Sequence, residues 1–282
     1  MQEQQLSESI EKLLVSSNPR HMAVAKAALK PSYYLRGARH LRDITGSVII
    51  GTGFPVSDTF ETDGPVRAMA LYQALETLGA CPYIACGASL AHALATDYRI
   101  VQLTARDQQA ACLEATAQLL ALQPKAIVAI ECPGIAADSR YYNMRGKDIT
   151  AECFYFDPFI NQANCPTIAI GDGGNEIGMG NIAKTLAGLD ITASMACCRE
   201  LLVADVSNWG AYGLIAFLGL WSQQDLLANI SSEELFNYLS ARGSVDGITG
   251  KNTLTEDGLP SFKGARIIEK LRVLTHFSPR TT

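Results

Sequence analysis

The chain has 282 residues, with 23 Lys and Arg against 28 Asp and Glu, a net charge of -5, and a charged fraction of only 18%. Hydrophobic residues make up 48% of the sequence, enough to bury a sizeable core, which excludes a disordered protein. Nucleic-acid binding requires a clustered excess of cations that this balance does not offer. We therefore expect the partner to be a small molecule.

The eight cysteines include no CxxC pair and no Cys/His spacing typical of zinc. Free thiols of this kind are typical of a reducing cytoplasm. The N-terminus, MQEQQLSESIEKLL, is polar and acidic, whereas a secretory signal has a basic start followed by an apolar block. The longest apolar stretch, 212–221, is about half of the ~20 residues that cross a bilayer. These features predict a cytoplasmic protein without a membrane segment.

Residues 1–46 are predicted to form an N-terminal helical extension. Two helical patterns, at 7–15 and 21–29, are separated by Ser-Ser-Asn-Pro and end before Pro31. Such helices are equally suited to pack on their own chain or on a second copy of it. The sequence therefore does not decide whether the protein forms a homo-oligomer.

Residues 47–282 are predicted to form one α/β domain. Its apolar runs, such as AIVAI and TIAI, are continuous rather than alternating, as expected for strands covered on both faces. Because they alternate with helical stretches, we predict a doubly wound, mainly parallel sheet with helices on both faces. The predicted strands are 47–53, 82–86, 99–103, 125–134, 166–174 and 191–196. The predicted helices are 65–78, 108–122, 209–221, 232–241, 265–274 and two that begin at 90 and 181.

The most informative loop is GDGGNEIGMG at 171–180, directly after a predicted strand. Five glycines in ten residues allow positive φ angles and close backbone approach. Asp172, Asn175 and Glu176 offer the hard oxygen ligands that Mg²⁺ and Mn²⁺ prefer. Neither G-x-G-x-x-G nor a Walker spacing fits, so no nucleotide cofactor is predicted. A purely structural turn is the alternative interpretation.

A second loop follows the first predicted strand and carries Glu61 and Asp63. Asp63 also stands where a helix cap is expected, and capping alone would explain it. Since the carboxyl ends of parallel strands meet at one sheet edge, the two loops are expected to converge. The predicted ligands of a divalent metal are Glu61, Asp63, Asp172, Asn175 and Glu176.

Glu131 ends an apolar strand, where an ionised side chain is costly unless it meets a partner or a ligand. A buried Glu paired with an Arg is the alternative. The polar insert that follows carries Arg145 and Lys147, which could bind a carboxylate, or simply form a solvated basic loop. Asp246 and Asp257 each precede a glycine, so they are also interpreted as turn residues.

These segments together resemble the C-terminal domain of D-glutamate cyclases. The matching stretches are GTGFP at 51–55, ETDGP at 61–65, YYNMRGKDI at 141–149, GDGGNEIGMGN at 171–181, SNWGAYGL at 207–214 and VDGITG at 245–250. The resemblance implies an α/β fold, conversion of D-glutamate to 5-oxo-D-proline with loss of water, and a divalent metal in an acidic cavity. The chain departs from the family at Cys132, where the resemblance implies Arg in an E-R-P-G run, and we expect it to lack the additional N-terminal domain of the cyclases. The exact substrate and its stereochemistry therefore stay open.

This chemistry assigns roles to the candidate residues. Cyclisation needs a base that takes a proton from the amine and a cation that stabilises the developing oxyanion. The predicted catalytic residues are Glu131 or Asp246 as the base and Asp172 or Glu176 at the metal. The predicted substrate-binding residues are Gly51, Thr52, Gly53, Asn143, Arg145, Lys147, Gly173, Gly174 and Thr249.

Two other functions compete with the cyclase on the same residues. A metal-dependent phosphohydrolase would use the acidic cluster to bind a small phosphate ester through Mg²⁺ or Mn²⁺, because a bound metal activates water as readily as it polarises a carboxyl group. A non-catalytic module would bind a small acidic metabolite without converting it.

Overall fold

The computed structural model describes residues 3–17, 20–56 and 59–277, and a six-stranded sheet forms its centre. The strands of the sheet are β1 (Ser47–Thr52), β4 (Cys81–Cys86), β5 (Ile100–Gln102), β6 (Ala126–Ile130), β7 (Thr167–Gly171) and β8 (Glu200–Val203). Two short hairpins pair β2 (Pro55–Val56) with β3 (Thr59–Phe60) and β9 (Thr255–Glu256) with β10 (Leu259–Pro260). The order across the sheet is β5-β4-β1-β6-β7-β8, and every neighbouring pair is parallel.

Helices flank this sheet, as the sequence predicted for a doubly wound α/β fold. They are α1 (Glu3–Leu14), α2 (Met22–Ala28), α3 (Tyr33–Arg39), α4 (Pro65–Thr77), α5 (Ala88–Leu94), α6 (Gln108–Leu122), α7 (Asp157–Asn161), α8 (Ala183–Leu186), α9 (Ser207–Ser222), α10 (Ser232–Ser240) and α11 (Phe262–Leu274). The apolar helix α9 is packed against α1, α3, α4 and α11. Within the described part of the chain, none of the helices combines the length and the apolar character needed to cross a membrane.

The core explains why the strand sequences are continuously apolar. Every residue of β6 and β7 is buried, because helices cover both faces of these central strands. Helix α1 contributes Leu6, Ile10 and Leu14 to the same hydrophobic core. The hydroxyl of Tyr34 in α3 donates to the carbonyl of Val203 in β8 over 3.1 Å. The N-terminal helices thus share apolar contacts with the sheet, and the domain boundary at residue 46 stays a prediction.

The predicted strand at 191–196 is wrong. This segment instead lies over the glycine-rich loop, where the Ser194 amide donates to the Gly174 carbonyl over 2.9 Å and the Met195 amide to the Ile135 carbonyl over 2.8 Å. The last strand of the sheet is β8, which lies a few residues further on. An extended apolar segment can cover a loop as well as extend a sheet, and the sequence pattern is the same for both. Helices α3 and α7 were also not predicted.

A buried ion pair attaches the β9–β10 hairpin to α4. Arg67 Nη2 donates to Glu256 Oε2 over 2.8 Å, and both side chains are fully buried. The indole of Trp209 donates to the other carboxylate oxygen over 3.1 Å. The guanidinium also lies 4.4 Å from the ring centroid of Tyr212. The residue that follows Glu256 is Asp257, so this pair also fixes the position of that carboxylate.

Replacing Arg67 by Met is expected to lower the free energy of unfolding by about 3–5 kcal/mol, because Glu256 would stay buried without its cation. The double variant that adds Glu256→Gln should recover most of the loss, since no buried charge is then left unpaired. Urea unfolding followed by circular dichroism measures both. A loss below about 1 kcal/mol in the single variant, the range of an exposed ion pair, would contradict this role.

Candidate active site

The candidate site lies where the order of the strands reverses. Strands β4 and β5 extend the sheet from one edge of β1, and β6, β7 and β8 extend it from the other. In open parallel sheets, ligands bind in the crevice at the carboxyl ends of the strands beside such a reversal. The loops after β1, β6 and β7 all carry carboxylates into this crevice.

Five buried or nearly buried carboxylates form what we call the acidic cluster: Glu61, Asp63, Glu131, Asp172 and Asp257. Two overlapping groups within it each bring three carboxylate oxygens within 4.8 Å of one another. One group contains Asp63, Glu131 and Asp172, and the other contains Glu61, Asp63 and Asp257. The structure therefore brings together loops that lie far apart in the sequence.

Three oxygens of the acidic cluster are buried without a hydrogen-bond partner among the described residues: Asp63 Oδ2, Glu131 Oε2 and Asp257 Oδ2. Leaving a buried polar atom unpaired is costly, so such atoms indicate a ligand. Glu131 also adopts a φ of 52°, a left-handed conformation that is strained for a non-glycine residue and concentrates at functional sites. Hard carboxylate oxygens at this spacing fit Mg²⁺ or Mn²⁺.

The electrostatics of the acidic cluster follow from its burial. Burial raises the pKa of Glu61, Asp63 and Glu131 well above the ordinary carboxyl range, and the charges of neighbouring carboxylates raise it further. Burial and mutual repulsion therefore both disfavour the ionised forms of these carboxyl groups, and a bound cation would favour them.

Asp63 does not cap α4 with its side chain. Gly64 is the N-cap residue of that helix, and the Gly64 amide donates to Asp63 Oδ1 over 2.8 Å. The second oxygen of Asp63 stays in the acidic cluster. Capping therefore does not account for this carboxylate.

Arg20, which the sequence analysis missed, reaches the acidic cluster from the connection between α1 and α2. Its Nη1 donates to Asp172 and its Nη2 donates to Asp257. Burial alone would lower the pKa of the guanidinium, but the charges of the two carboxylates raise it above its ordinary value. A single Arg in a helical extension carries no motif, so no local signal could have found it.

Asn175 and Glu176 lie beside the acidic cluster. The carboxylate of Glu176 accepts the backbone amides of Gly173 and Gly174 over 2.9 and 2.8 Å, which holds the glycine-rich loop in shape. Asn175 Nδ2 donates to the carbonyl of Tyr142 over 2.9 Å, while its Oδ1 is buried without a partner in the described structure. Of these two residues, Asn175 is therefore the one whose side-chain oxygen is available to a metal ion.

Asp246 holds a turn together. Its carboxylate accepts the backbone amides of Ile248, Thr249 and Gly258 over 3.0, 2.8 and 2.8 Å. Burial would raise the pKa of Asp246, but hydrogen bonds from Thr249, Thr255 and Gly258 lower it below its ordinary value. The Gly258 contact also ties this turn to the β9–β10 hairpin.

A cavity of about 410 Å³ opens onto the acidic cluster. Its lining includes the predicted residues Glu61, Glu131, Asn143, Arg145, Lys147, Asn175 and Thr249, together with Arg20 and Asp257. Arg145 and Lys147 are exposed, and Arg145 Nη2 donates to the carbonyl of Ile248 over 3.3 Å. One side of the cavity is thus acidic and another carries cations.

The remaining predicted substrate-binding residues lie outside this cavity. Thr52 and Gly53 line a smaller neighbouring cavity of about 140 Å³. A Cβ at Gly51 would lie 2.2 Å from the ring of Phe156, and one at Gly173 would lie 2.4 Å from the sulfur of Met144. Close packing thus explains why glycine stands at these two positions. Cys132 is buried in the core and does not line the larger cavity.

The strand order defines an α/β protein whose acidic cavity, the candidate site, lies at the switch point of its sheet. Comparison with known proteins gives its family: residues 10–272 match the family described as "D-glutamate cyclase-like, C-terminal". The chain belongs to that family, as the sequence resemblance indicated. It is 29% identical, over 304 aligned positions, to the human protein named "D-glutamate cyclase, mitochondrial". The alignment covers 89% of this chain and 48% of the human protein, so the chain spans about half the length of that relative.

The burial of Glu176 predicts a pH dependence of the free energy of unfolding. Burial, with the nearby charge of Asp172, raises the pKa of Glu176 to about 7 from its ordinary value of 4.5. The folded state therefore binds this proton more tightly than the unfolded state, so its contribution to stability is full at low pH and is lost as the pH rises through 7.

Between pH 5 and 8.5, without metal and with a chelator, wild type should lose about 2–3 kcal/mol of unfolding free energy relative to Glu176→Gln. The Gln variant keeps the side-chain volume but cannot titrate, and it retains the other carboxylates as an internal control. Denaturant unfolding at both pH values measures the difference. A difference between the two proteins that does not change with pH would show that Glu176 has an ordinary pKa.

Proposed function

We propose that the chain converts D-glutamate to 5-oxo-D-proline with loss of water, assisted by Mg²⁺ or Mn²⁺, as a lyase. The observation that carries the proposal is one cavity that has exposed cations on one side and, on another, carboxylate oxygens with no hydrogen-bond partner among the described residues. Family membership and the name of the human relative support the substrate class. The volume of about 410 Å³ falls in the ordinary range of small-molecule sites.

The acidic cluster would hold the metal. We infer that Glu61, Asp63, Asp172 and Asp257 supply carboxylate oxygens and that Asn175 Oδ1 is a further donor. When bound, the cation polarises the γ-carboxyl group of the substrate and stabilises the negative charge that develops on its oxygen.

The reaction sets the requirements for the protein groups. A bond forms between the α-amino nitrogen and the γ-carboxyl carbon, and one C–O bond of that carboxyl group breaks. The ammonium nitrogen loses two protons in all, and the departing oxygen gains two and leaves as water. A group that accepts a proton from the amine and returns it to the oxygen serves both steps.

Glu131 meets these requirements best. It lines the cavity, its Oε2 has no hydrogen-bond partner among the described residues, and burial raises its pKa well above the ordinary range. Asp246, the other predicted base, is held by three backbone amides and has a lowered pKa. We therefore favour Glu131 as the base.

The cations of the cavity suit the α-carboxylate of the substrate. Arg145 offers the planar, bidentate pairing that a carboxylate prefers, and Lys147 adds a second charge. Asn143 and Thr249 line the same space and offer polar groups to orient the substrate.

Replacing Asp172 by Asn should weaken Mn²⁺ binding and lower kcat/KM for D-glutamate by about 100-fold or more, because an anionic metal ligand becomes neutral. Calorimetry with Mn²⁺ and chromatographic detection of 5-oxoproline measure the two effects. The matched control is Asp190→Asn at an exposed position, which should leave both unchanged. Undiminished metal binding and turnover in Asp172→Asn would remove this residue from the site.

Replacing Glu131 by Gln should lower kcat by about 10²–10⁴-fold, the usual contribution of a general base. Mn²⁺ affinity should change much less, because the other carboxylates of the acidic cluster remain. Steady-state kinetics beside Mn²⁺ titration separates the two roles. If Mn²⁺ affinity falls as steeply as kcat, Glu131 is a metal ligand and the base lies elsewhere.

Incubation with D-glutamate, L-glutamate and a panel of phosphate esters, with and without Mn²⁺, tests the reaction itself. Formation of 5-oxo-D-proline from D-glutamate alone supports the cyclase. Hydrolysis of a phosphate ester would favour the phosphohydrolase, and binding of D-glutamate without product would favour a binding module. Cytoplasmic location and self-association stay predictions.

A further inference from the structure

Arg20 lies between the two carboxylate groups that make up the acidic cluster. Its Nη1 donates to Asp172, a member of one group, and its Nη2 donates to Asp257, a member of the other. A positive charge already sits where these negative charges converge. It comes from the connection between α1 and α2, which supplies no group to the proposed reaction.

A divalent cation and this guanidinium would compete for the same carboxylates. Arg20 engages Oδ1 of both Asp172 and Asp257. A bound Mg²⁺ or Mn²⁺ would take these carboxylate oxygens as ligands and would repel a second positive charge a few ångströms away. Metal binding at either carboxylate group therefore opposes the ion pairs of Arg20.

The guanidinium has a route out of the acidic cluster. Arg20 lies in the connection between α1 and α2 rather than in the packed sheet, and its side chain lines the cavity of about 410 Å³. The side chain is 18% exposed, whereas that of Asp172 is completely buried. The arginine can therefore turn into the cavity without disturbing the core.

We propose that Arg20 is an internal counter-ion, which neutralises the acidic cluster in the metal-free protein and is displaced from Asp172 and Asp257 when a divalent cation binds. The inference rests on the metal-binding part of the proposed function and extends it to the N-terminal segment. Arg20 reduces the cost of burying like charges together, and it does so at the expense of metal affinity.

Calorimetric titration of chelator-treated protein with Mn²⁺ alone tests the exchange. Arg20→Gln should bind Mn²⁺ about 10- to 100-fold more tightly than wild type, because the metal no longer has to break charge-assisted hydrogen bonds. The metal-free variant should also melt at a lower temperature. Arg20→Lys keeps the charge and should stay near the wild-type affinity. Arg39→Gln, which removes an exposed ion pair with Glu3, is the matched control and should change nothing.

Trypsin, which cleaves after Arg and Lys, gives a second measurement. Adding Mn²⁺ to wild type should accelerate cleavage after Arg20, since the released guanidinium becomes accessible, relative to cleavage after the exposed Arg42. Two results would overturn the proposal. One is a Mn²⁺ affinity of Arg20→Gln that is equal to or weaker than that of wild type, and the other is a rate of cleavage after Arg20 that does not change with Mn²⁺. Failure to form 5-oxo-D-proline is a separate result that would count against the cyclase and leave the metal exchange standing.

Discussion

The burial of several carboxylates at one point of the sheet is the constraint on which the rest of the site depends. Ionised groups away from water are costly unless protons, an opposite charge or a metal neutralise them. This protein offers all three means: the raised pKa values of Glu61, Asp63 and Glu131, the guanidinium of Arg20, and carboxylate oxygens that fit a divalent cation and lack a hydrogen-bond partner in the described part of the chain. Protons, the Arg20 guanidinium and a divalent cation would all neutralise the same carboxylates. Tighter binding of one of the three therefore weakens the binding of the other two.

The fold maintains this arrangement from three directions. The switch point of the sheet sets the loops after β1, β6 and β7 side by side. The buried pair of Arg67 and Glu256 fixes the hairpin that supplies Asp257. The connection after α1 supplies Arg20. The connection after α1 and a hairpin of two short strands, which look like scaffold, therefore decide the charge balance of the cavity.

Much of the architecture could be predicted because it depends on local patterns. The continuous apolar runs at β6 and β7 require two covered faces, and α6 has the predicted bounds. The error at 191–196 has a physical reason as well. The amides of Ser194 and Met195 donate hydrogen bonds to loop carbonyls rather than to a neighbouring strand. The apolar pattern does not show which of these partners the backbone bonds to.

The sequence by itself determined that carboxylates stand at the ends of the strands, and parallel strands place those ends at one edge of the sheet. Only the tertiary structure decided which of them meet. Asp246 has the same Asp-Gly signature as Asp257, yet it holds a turn while Asp257 joins the acidic cluster. Arg20 lies 152 residues from Asp172 and 237 from Asp257. The chain must fold before those charges attract one another, and no local pattern records a contact over such a distance.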